Sequence, residues 1–222
     1  MLGSLFDASA EFFIHERRRP HWSQAGAVVY VTARTCDSLP KEVLLRWERE
    51  KNAWFHHRER RLGVPVDFHR GWQAKLNELN EQDLDAFRNH FNRQRETELD
   101  CCHGACWLKE PVLAKIVSDS LMHFDGSRYR MGDFVVMPNH FHALVVFRNP
   151  EDMERQFDSW LHWTATQINR RIGARGHFWQ QEPFDHLVRS VEQYTYLREY
   201  IRDNPNRANL REGQFLYRRL EE

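Results

Sequence analysis

The order of elements read from the sequence predicts an α+β fold: an antiparallel sheet with helices packed on one face, plus a helical insertion. Three observations predict it. Runs of β-branched and aromatic residues recur at 27–33, 129–137 and 140–147, the last two joined by only two residues. Stretches with apolar residues at helical spacing separate them. A charged, tryptophan-bearing stretch at about 41–106 resembles neither.

Ala27 to Ala33 reads as a buried strand, closed by Asp37, Ser38 and Pro40. From Lys41 to about Leu62 the pattern turns helical, with Trp47, Trp54 and Phe55 as its apolar face, until Gly63-Val64-Pro65 breaks it. A second charged helix is expected from Glu81 to about Arg95. Pro111, suited to a first helical turn, opens a better helix in which Leu113, Ile116, Val117 and Leu121 recur, ended by Asp125-Gly126. Strands Tyr129–Met137 and His140–Phe147 follow, joined tightly at Pro138-Asn139. An amphipathic helix from about Glu151 to Ile172 carries the stripe Met153, Phe157, Trp160, Leu161, Thr164, Ile168, and Gly173 stops it. A short strand is expected at Asp185–Arg189, and a last helix from Val191 to about Asp203, ended by Pro205. This order, strand–helix–strand–strand–helix–strand with a closing helix, is the ferredoxin-like sandwich. We read 1–222 as a single domain with an insertion at about 41–106.

Composition narrows the function classes. At 222 residues, 41% hydrophobic and 29% charged, the chain can bury a core and does not read as disordered. No apolar run approaches the ~20 residues of a membrane helix. The arginines 17–19 follow rather than precede the weak apolar stretch Phe12-Phe13-Ile14, the reverse of a secretory signal. Four cysteines in a chain of this length fit a reducing cytoplasm better than a disulfide framework. With 32 basic and 32 acidic residues, a nonspecific coat on nucleic acid is disfavoured, because phosphate neutralisation drives such binding. Local basic tracks remain: Arg17–Arg19, Arg170–Arg175 and Arg207–Arg219. A charge run is more often a solvated face than a DNA contact.

Two constellations carry chemistry. In Met137-Pro138-Asn139-His140-Phe141-His142, residues two apart on a strand share a face, so His140 and His142 present two imidazoles side by side. Such a pair can ligate a divalent ion; a strand with two half-exposed histidines is the plainer alternative. In Tyr200-Ile201-Arg202-Asp203-Asn204-Pro205, Tyr200 and Asn204 are four apart and share a helix face. A tyrosine hydroxyl, pKa near 10, is a poor nucleophile unless a metal polarises its target. Asn204 offers a hard oxygen ligand. The plain alternative is a packed Tyr and a capping Asn.

Together the two segments resemble a known family. His140-Phe141-His142 is a His–hydrophobic–His signature, and the Tyr200 helix is similar to the last helix of single-tyrosine HUH transposases. Val136 to His140, Phe178-Trp179-Gln180-Gln181, Phe184-Asp185-His186 with Arg189, and Asn204-Pro205-Asn206-Arg207-Ala208 resemble the REP-associated tyrosine transposases. The resemblance covers 126–211, extends more loosely over 22–40 and 107–125, and is absent from 41–106. It implies His140, His142 and Asn204 as ligands of Mg²⁺ or Mn²⁺, and Tyr200 as the nucleophile that leaves a 5′-phosphotyrosine. It also implies a single-stranded DNA substrate beside a hairpin or palindrome, in the cytoplasm at the nucleoid. Oligomeric state is left open, with a monomer slightly favoured.

Further candidates for DNA contact are Arg34, Arg171, Arg175, Trp179, His186, Arg189 and Arg207; Trp179 beside basic residues suits stacking on an unpaired base, with buried packing a close second reading. Cys101-Cys102-His103-x-x-Cys106 has zinc-type ligands, but no second ligand pair sits at finger spacing. Two rival readings stand beside the transposase. One is a domesticated hairpin-DNA binder without transposition. The other is an RNA-binding module on the same sheet, which would need an aromatic strand motif that is not visible.

Overall fold

The computed structural model of the chain describes residues 1–16 and 21–220. The basic run Arg17–Arg19 lies outside the described residues. In chain order the elements are β1 (Phe13–His15), β2 (His21–Ser23), β3 (Val28–Arg34), α1 (Lys41–Arg61), α2 (Trp72–Lys75) and α3 (Glu81–Asp100). Then come α4 (Pro111–Met122), β4 (Tyr129–Met137), β5 (His140–Phe147), α5 (Asp152–Ile172), β6 (Phe184–Leu187), α6 (Val191–Arg207) and β7 (Leu216–Arg218). The chain divides into two compact units: Met1–Ser38 with Ala105–Glu222, and Leu39–Gly104. No helix among the described residues is long and apolar enough to cross a membrane.

The first unit is built on an antiparallel sheet ordered β6-β3-β5-β4-β7. Counting β3, β4, β5 and β6 as first to fourth, the order is fourth–first–third–second, the ferredoxin-like arrangement, with β7 added at one edge. The class is α+β, as the element pattern predicts, and strands β4 and β5 keep the predicted limits. The β1–β2 hairpin and β7 were not foreseen. Each is three residues long, too short for a periodic signal.

The placement of the helices corrects one expectation. Helices α4 and α5 do share a face, where Val29, Val31 and Ala33 of β3 and Phe141, Ala143 and Val145 of β5 meet Leu113, Val117, Phe157 and Trp160. The buried Tyr129 hydroxyl fastens that face: it donates to the Leu121 carbonyl at 2.8 Å and accepts from Trp160 Nε1 at 3.2 Å. Helix α6 packs on the opposite face, its Tyr194, Leu197, Tyr200 and Ile201 against Val28, Tyr30, Val135, Leu144 and Val146. The reason lies in β3 and β5, which are apolar on both faces and therefore need cover on both. Burying Leu197 and Ile201 there contributes on the order of 1.5–3 kcal/mol each.

A buried ion pair orients α6. Between Met131 and Phe134 the β4 ladder shifts register, and Asp133 sits in that irregularity, buried. Its Oδ2 accepts from Arg198 Nε of α6 at 3.0 Å, and its Oδ1 from the Leu220 backbone N–H at 2.7 Å. Pro205 does not end α6, contrary to expectation; the helix runs on to Arg207. A proline this close to the C-terminus removes a single donor, and the Ala208 and Leu210 amides go on to bond the Asn204 and Pro205 carbonyls. Smaller differences are at boundaries: α3 extends to Asp100 rather than Arg95, and the last-but-one strand is Phe184–Leu187.

The second unit is helical. Its α1 and α3 pack through Val43, Trp47 and Leu99 and through an aromatic group of Trp54, Phe55 and Phe87. An Arg58–Asp83 pair at 2.7 Å links the same helices, and the buried Lys75 ammonium meets Glu59 at 2.6 Å. The predicted apolar face thus buries Trp47 and Phe55, while Trp54 is only half-buried.

Replacing Arg198 by Ala strands the Asp133 carboxylate in a nearly dry site. We expect a loss of about 2–4 kcal/mol in urea denaturation, in the range seen when one partner of a buried pair is removed. A loss under about 1 kcal/mol would show that apolar packing alone fixes α6.

Candidate active site

The site follows from strand alternation. His140 and His142 fall on the same side of β5 as Leu144 and Val146, which is the face that α6 covers. Their rings lie 4.7 Å apart, centroid to centroid, at a steep angle. One helical turn separates Tyr200 from Asn204 on α6, and the Tyr200 ring stands edge-on to His142 at 5.2 Å. Asn204 comes close enough to His140 for its side chain to influence that ring's protonation. All four groups are buried: His140 0%, His142 1%, Asn204 0% and Tyr200 4% exposed.

Neighbouring side chains fix both imidazoles. His140 Nδ1 donates to Asn139 Oδ1 at 2.7 Å, which leaves Nε2 as the nitrogen bearing the lone pair. His142 Nδ1 lies 2.7 Å from the Tyr30 hydroxyl and 2.8 Å from Thr32 Oγ1. These hydroxyls engage Nδ1, so Nε2 is the ring nitrogen left for a ligand. Tyr30 also stacks on the His142 ring, centroids 5.5 Å apart. Tyr30, Thr32 and Asn139 were missed in the sequence. The alternation of β3 puts Tyr30 and Thr32 on one face, but only the β3–β5 register, Thr32 opposite His142, tells which partner they meet.

Burial drives the pKa of His140 down to about 3, because a charged imidazole would lose its water; the Asn204 side chain offsets part of this. The ring is therefore neutral at physiological pH, the form that binds a metal. Two imidazoles and an amide oxygen, brought together in the buried layer under α6, suit a divalent ion of borderline or hard character.

The other candidates divide by face. Arg34 lies opposite His140 in the β3–β5 register, on the site side, and donates to Ser38 Oγ at 3.1 Å. His186 of β6 also faces the site, its ring 5.2 Å from Tyr30. The Arg207 guanidinium sits 4.9 Å above the Tyr200 ring. Arg189 is exposed just before α6. Arg171 and Arg175 are exposed at the end of α5, the helix on the opposite sheet face. Trp179 requires a correction: it is buried in the α5-side core, edge-on to Phe141 at 5.6 Å, with Nε1 donating to Thr164 Oγ1 at 2.8 Å. A ring satisfied on all sides inside the core is a packing residue, not a stacking platform. Tyr196, one helical turn before Tyr200, is 55% exposed, and its ring stacks on Tyr200 with centroids 6.2 Å apart.

No protein-family model matches the chain, and no curated protein does. Among solved structures, one described as the REP associates tyrosine transposase bound to a REP hairpin is similar to 86% of this chain and 73% of its own, at a TM-score of 0.41 and 12% identity. A likeness that loose carries no argument about chemistry, which rests on the geometry above.

The depressed pKa of His140 sets a pH dependence. Unfolded, this histidine takes a proton near pH 6.5; folded, only near 3. Its contribution is complete above pH 6.5 and is lost as pH falls toward 3. In chelator, the melting temperature should drop between pH 6.5 and 4.5, and His140→Gln should flatten that slope. Parallel slopes for parent and variant would assign the acid sensitivity to other groups.

Proposed function

We propose that the chain cuts and rejoins single-stranded DNA through Tyr200, as a divalent-metal-dependent transposase of the REP-associated tyrosine type. One observation carries this reading: α6 lies on the histidine face, so Tyr200 and Asn204 converge on His140 and His142. The segments come from distant parts of the sequence, and each alone has an ordinary explanation. Their convergence in a buried, otherwise apolar layer does not.

His140, His142 and Asn204 would hold Mg²⁺ or Mn²⁺. When bound, the ion supplies Lewis acidity to a phosphate oxygen and helps align the scissile bond. Tyr200 Oη attacks the phosphorus, the bond to the 3′-oxygen breaks, and that oxygen leaves with the proton the phenol gives up. The products are a 5′-phosphotyrosine and a free 3′-hydroxyl. Because the phosphodiester energy is kept in the tyrosyl link, rejoining needs no nucleotide cofactor. Arg207 places a positive charge beside the nucleophile, while Arg34 and His186 flank the same face and are suited to the strand on either side of the cut. Tyr200 is nearly buried, so a phosphate reaches it only when the groups over it, Arg207 among them, swing aside.

A hairpin or palindromic element beside the cut follows from the sequence resemblance. Single strands are favoured by the zero formal charge, which leaves little for broad duplex binding. One chain can supply all four site groups, so a monomer suffices as the working unit; the resemblance places it in the cytoplasm at the nucleoid. The burial of Tyr200 favours a second reading, a domesticated hairpin binder whose tyrosine no longer reacts. The RNA-binding reading loses its platform, since helices cover both faces of the sheet.

Protein mixed with an end-labelled hairpin-bearing single strand and Mn²⁺ should give a covalent band on a denaturing gel. Tyr200→Phe should abolish it while leaving hairpin binding within a few-fold of the parent and stability within about 1 kcal/mol. A band lost in Tyr196→Phe but kept in Tyr200→Phe would move the nucleophile one turn back. Binding without any band in the parent would favour the domesticated reading.

Removing the metal is a separate test. Excess chelator should suppress cleavage, Mn²⁺ should restore it, and fully duplex DNA should be cut poorly throughout. Full activity in chelator would exclude the ligand role given to His140 and His142.

A further inference from the structure

The end of α3 carries a second constellation of metal-binding groups, unrelated to the Tyr200 site. Glu98, in the helix's last turn, Cys101, just after it, and His103 bring one carboxylate oxygen, Sγ and one ring nitrogen within 4.8 Å of one another. The sequence offered Cys101-Cys102-His103 without a matching ligand pair at finger spacing. The structure supplies a third ligand from the helix itself: Glu98 is three residues before Cys101, on the same helix edge.

Two features make this an organised group rather than a chance meeting. Cys102 adopts a left-handed conformation (φ 51°), which a non-glycine residue enters at a cost, and Gly104 follows at φ 91°. That turn brings His103 back against the helix, where Nε2 lies 3.2 Å from Glu98 Oε2. The carboxylate is also held from behind, since Arg46 of α1 pairs with its Oε1. Buried Leu99 packs with Val43 and Trp47 and fixes this end of α3 on α1.

We propose that Glu98 Oε2, Cys101 Sγ and His103 Nε2 form a site for a zinc-class divalent ion, with solvent as fourth ligand. The ligand types are those zinc prefers, and tetrahedral bonds of ~2.0–2.1 Å to N and O and ~2.3 Å to S put the ligand atoms roughly 3.3–3.6 Å apart. The His103–Glu98 separation already matches, and the exposed Cys101 Sγ, which donates to the Thr97 carbonyl at 3.3 Å, lies within 4.8 Å of both partners. Binding releases the Cys101 thiol proton to solvent, and His103 ligates through Nε2 with its ring proton carried on Nδ1. The Arg46–Glu98 pair then serves as the outer contact that keeps the carboxylate oriented. The role is structural: the ion pins the left-handed turn to the end of α3.

The test uses the full chain with His140→Ala and His142→Ala, which removes the other metal site, titrated with Co²⁺ and then Zn²⁺ after chelator treatment. One equivalent of Co²⁺ should bind with a near-ultraviolet thiolate-to-metal absorption, a band that nitrogen and oxygen ligands cannot give, and Zn²⁺ should erase it. Cys101→Ser should abolish the band, and His103→Ala or Glu98→Gln should weaken Co²⁺ binding at least tenfold. A chain with Cys36, Cys102 and Cys106 changed to Ser should keep it. No band at millimolar Co²⁺, a band that survives Cys101→Ser, or its loss in that triple variant would each overturn the proposal. None of these outcomes bears on the Tyr200 reading, which uses neither the thiols nor this unit.

Discussion

The docking of α6 across the sheet is the interaction on which the rest of this molecule depends. The helix covers a strip of valine, leucine and tyrosine that β3 and β5 would otherwise show to water, and Leu197 and Ile201 supply the apolar grip. Apolar contact is non-directional and would tolerate a helix rotated or slid along the sheet. The Asp133–Arg198 pair is directional, and it reaches from a ladder irregularity in β4 to the middle of α6. With that point fixed, two residues carry the register to Tyr200, and one further helical turn carries it to Asn204.

The placement has an electrostatic consequence. A helix over two histidines removes them from water, and the neutral form of His140 follows from that burial rather than from any charged neighbour. The same cover that keeps His140 neutral also buries Tyr200. Active-site elements that must open are drawn from less stable parts of a structure. Here the group over the Tyr200 ring is Arg207, an exposed residue in the last turn of α6.

The helical unit obeys different physics. Its helices are highly charged, and they meet through a narrow apolar seam, a group of aromatic rings and ion pairs such as Arg58–Asp83. A small core of this kind gains much from a staple. The chain enters and leaves the unit between Ser38 and Ala105, where the Ala105 amide donates to Asp37 Oδ2 at 2.8 Å.

The sequence by itself determined the longer elements and the candidate residues within them. Alternation along 140–147 put His140 and His142 on one face, and the four-residue spacing put Tyr200 and Asn204 on another, because these periods are properties of the backbone. Strands β4 and β5 were legible to the residue, since strong apolar runs and a tight Pro138-Asn139 turn bound them. Which sheet face α6 would take was not legible, since β3 and β5 are apolar on both sides and local pattern cannot choose between two equivalent surfaces. Nor could spacing find Tyr30 and Thr32 behind His142, or Glu98 beside Cys101 and His103, because these pairings depend on register across strands and on a turn that reverses the chain. Trp179 shows the same limit from the other side: an aromatic among basic residues reads as a DNA contact until the core closes over it. Periodicity is local and written in the chain, whereas the meeting of distant faces is decided by packing, which exists only once the whole sheet has formed.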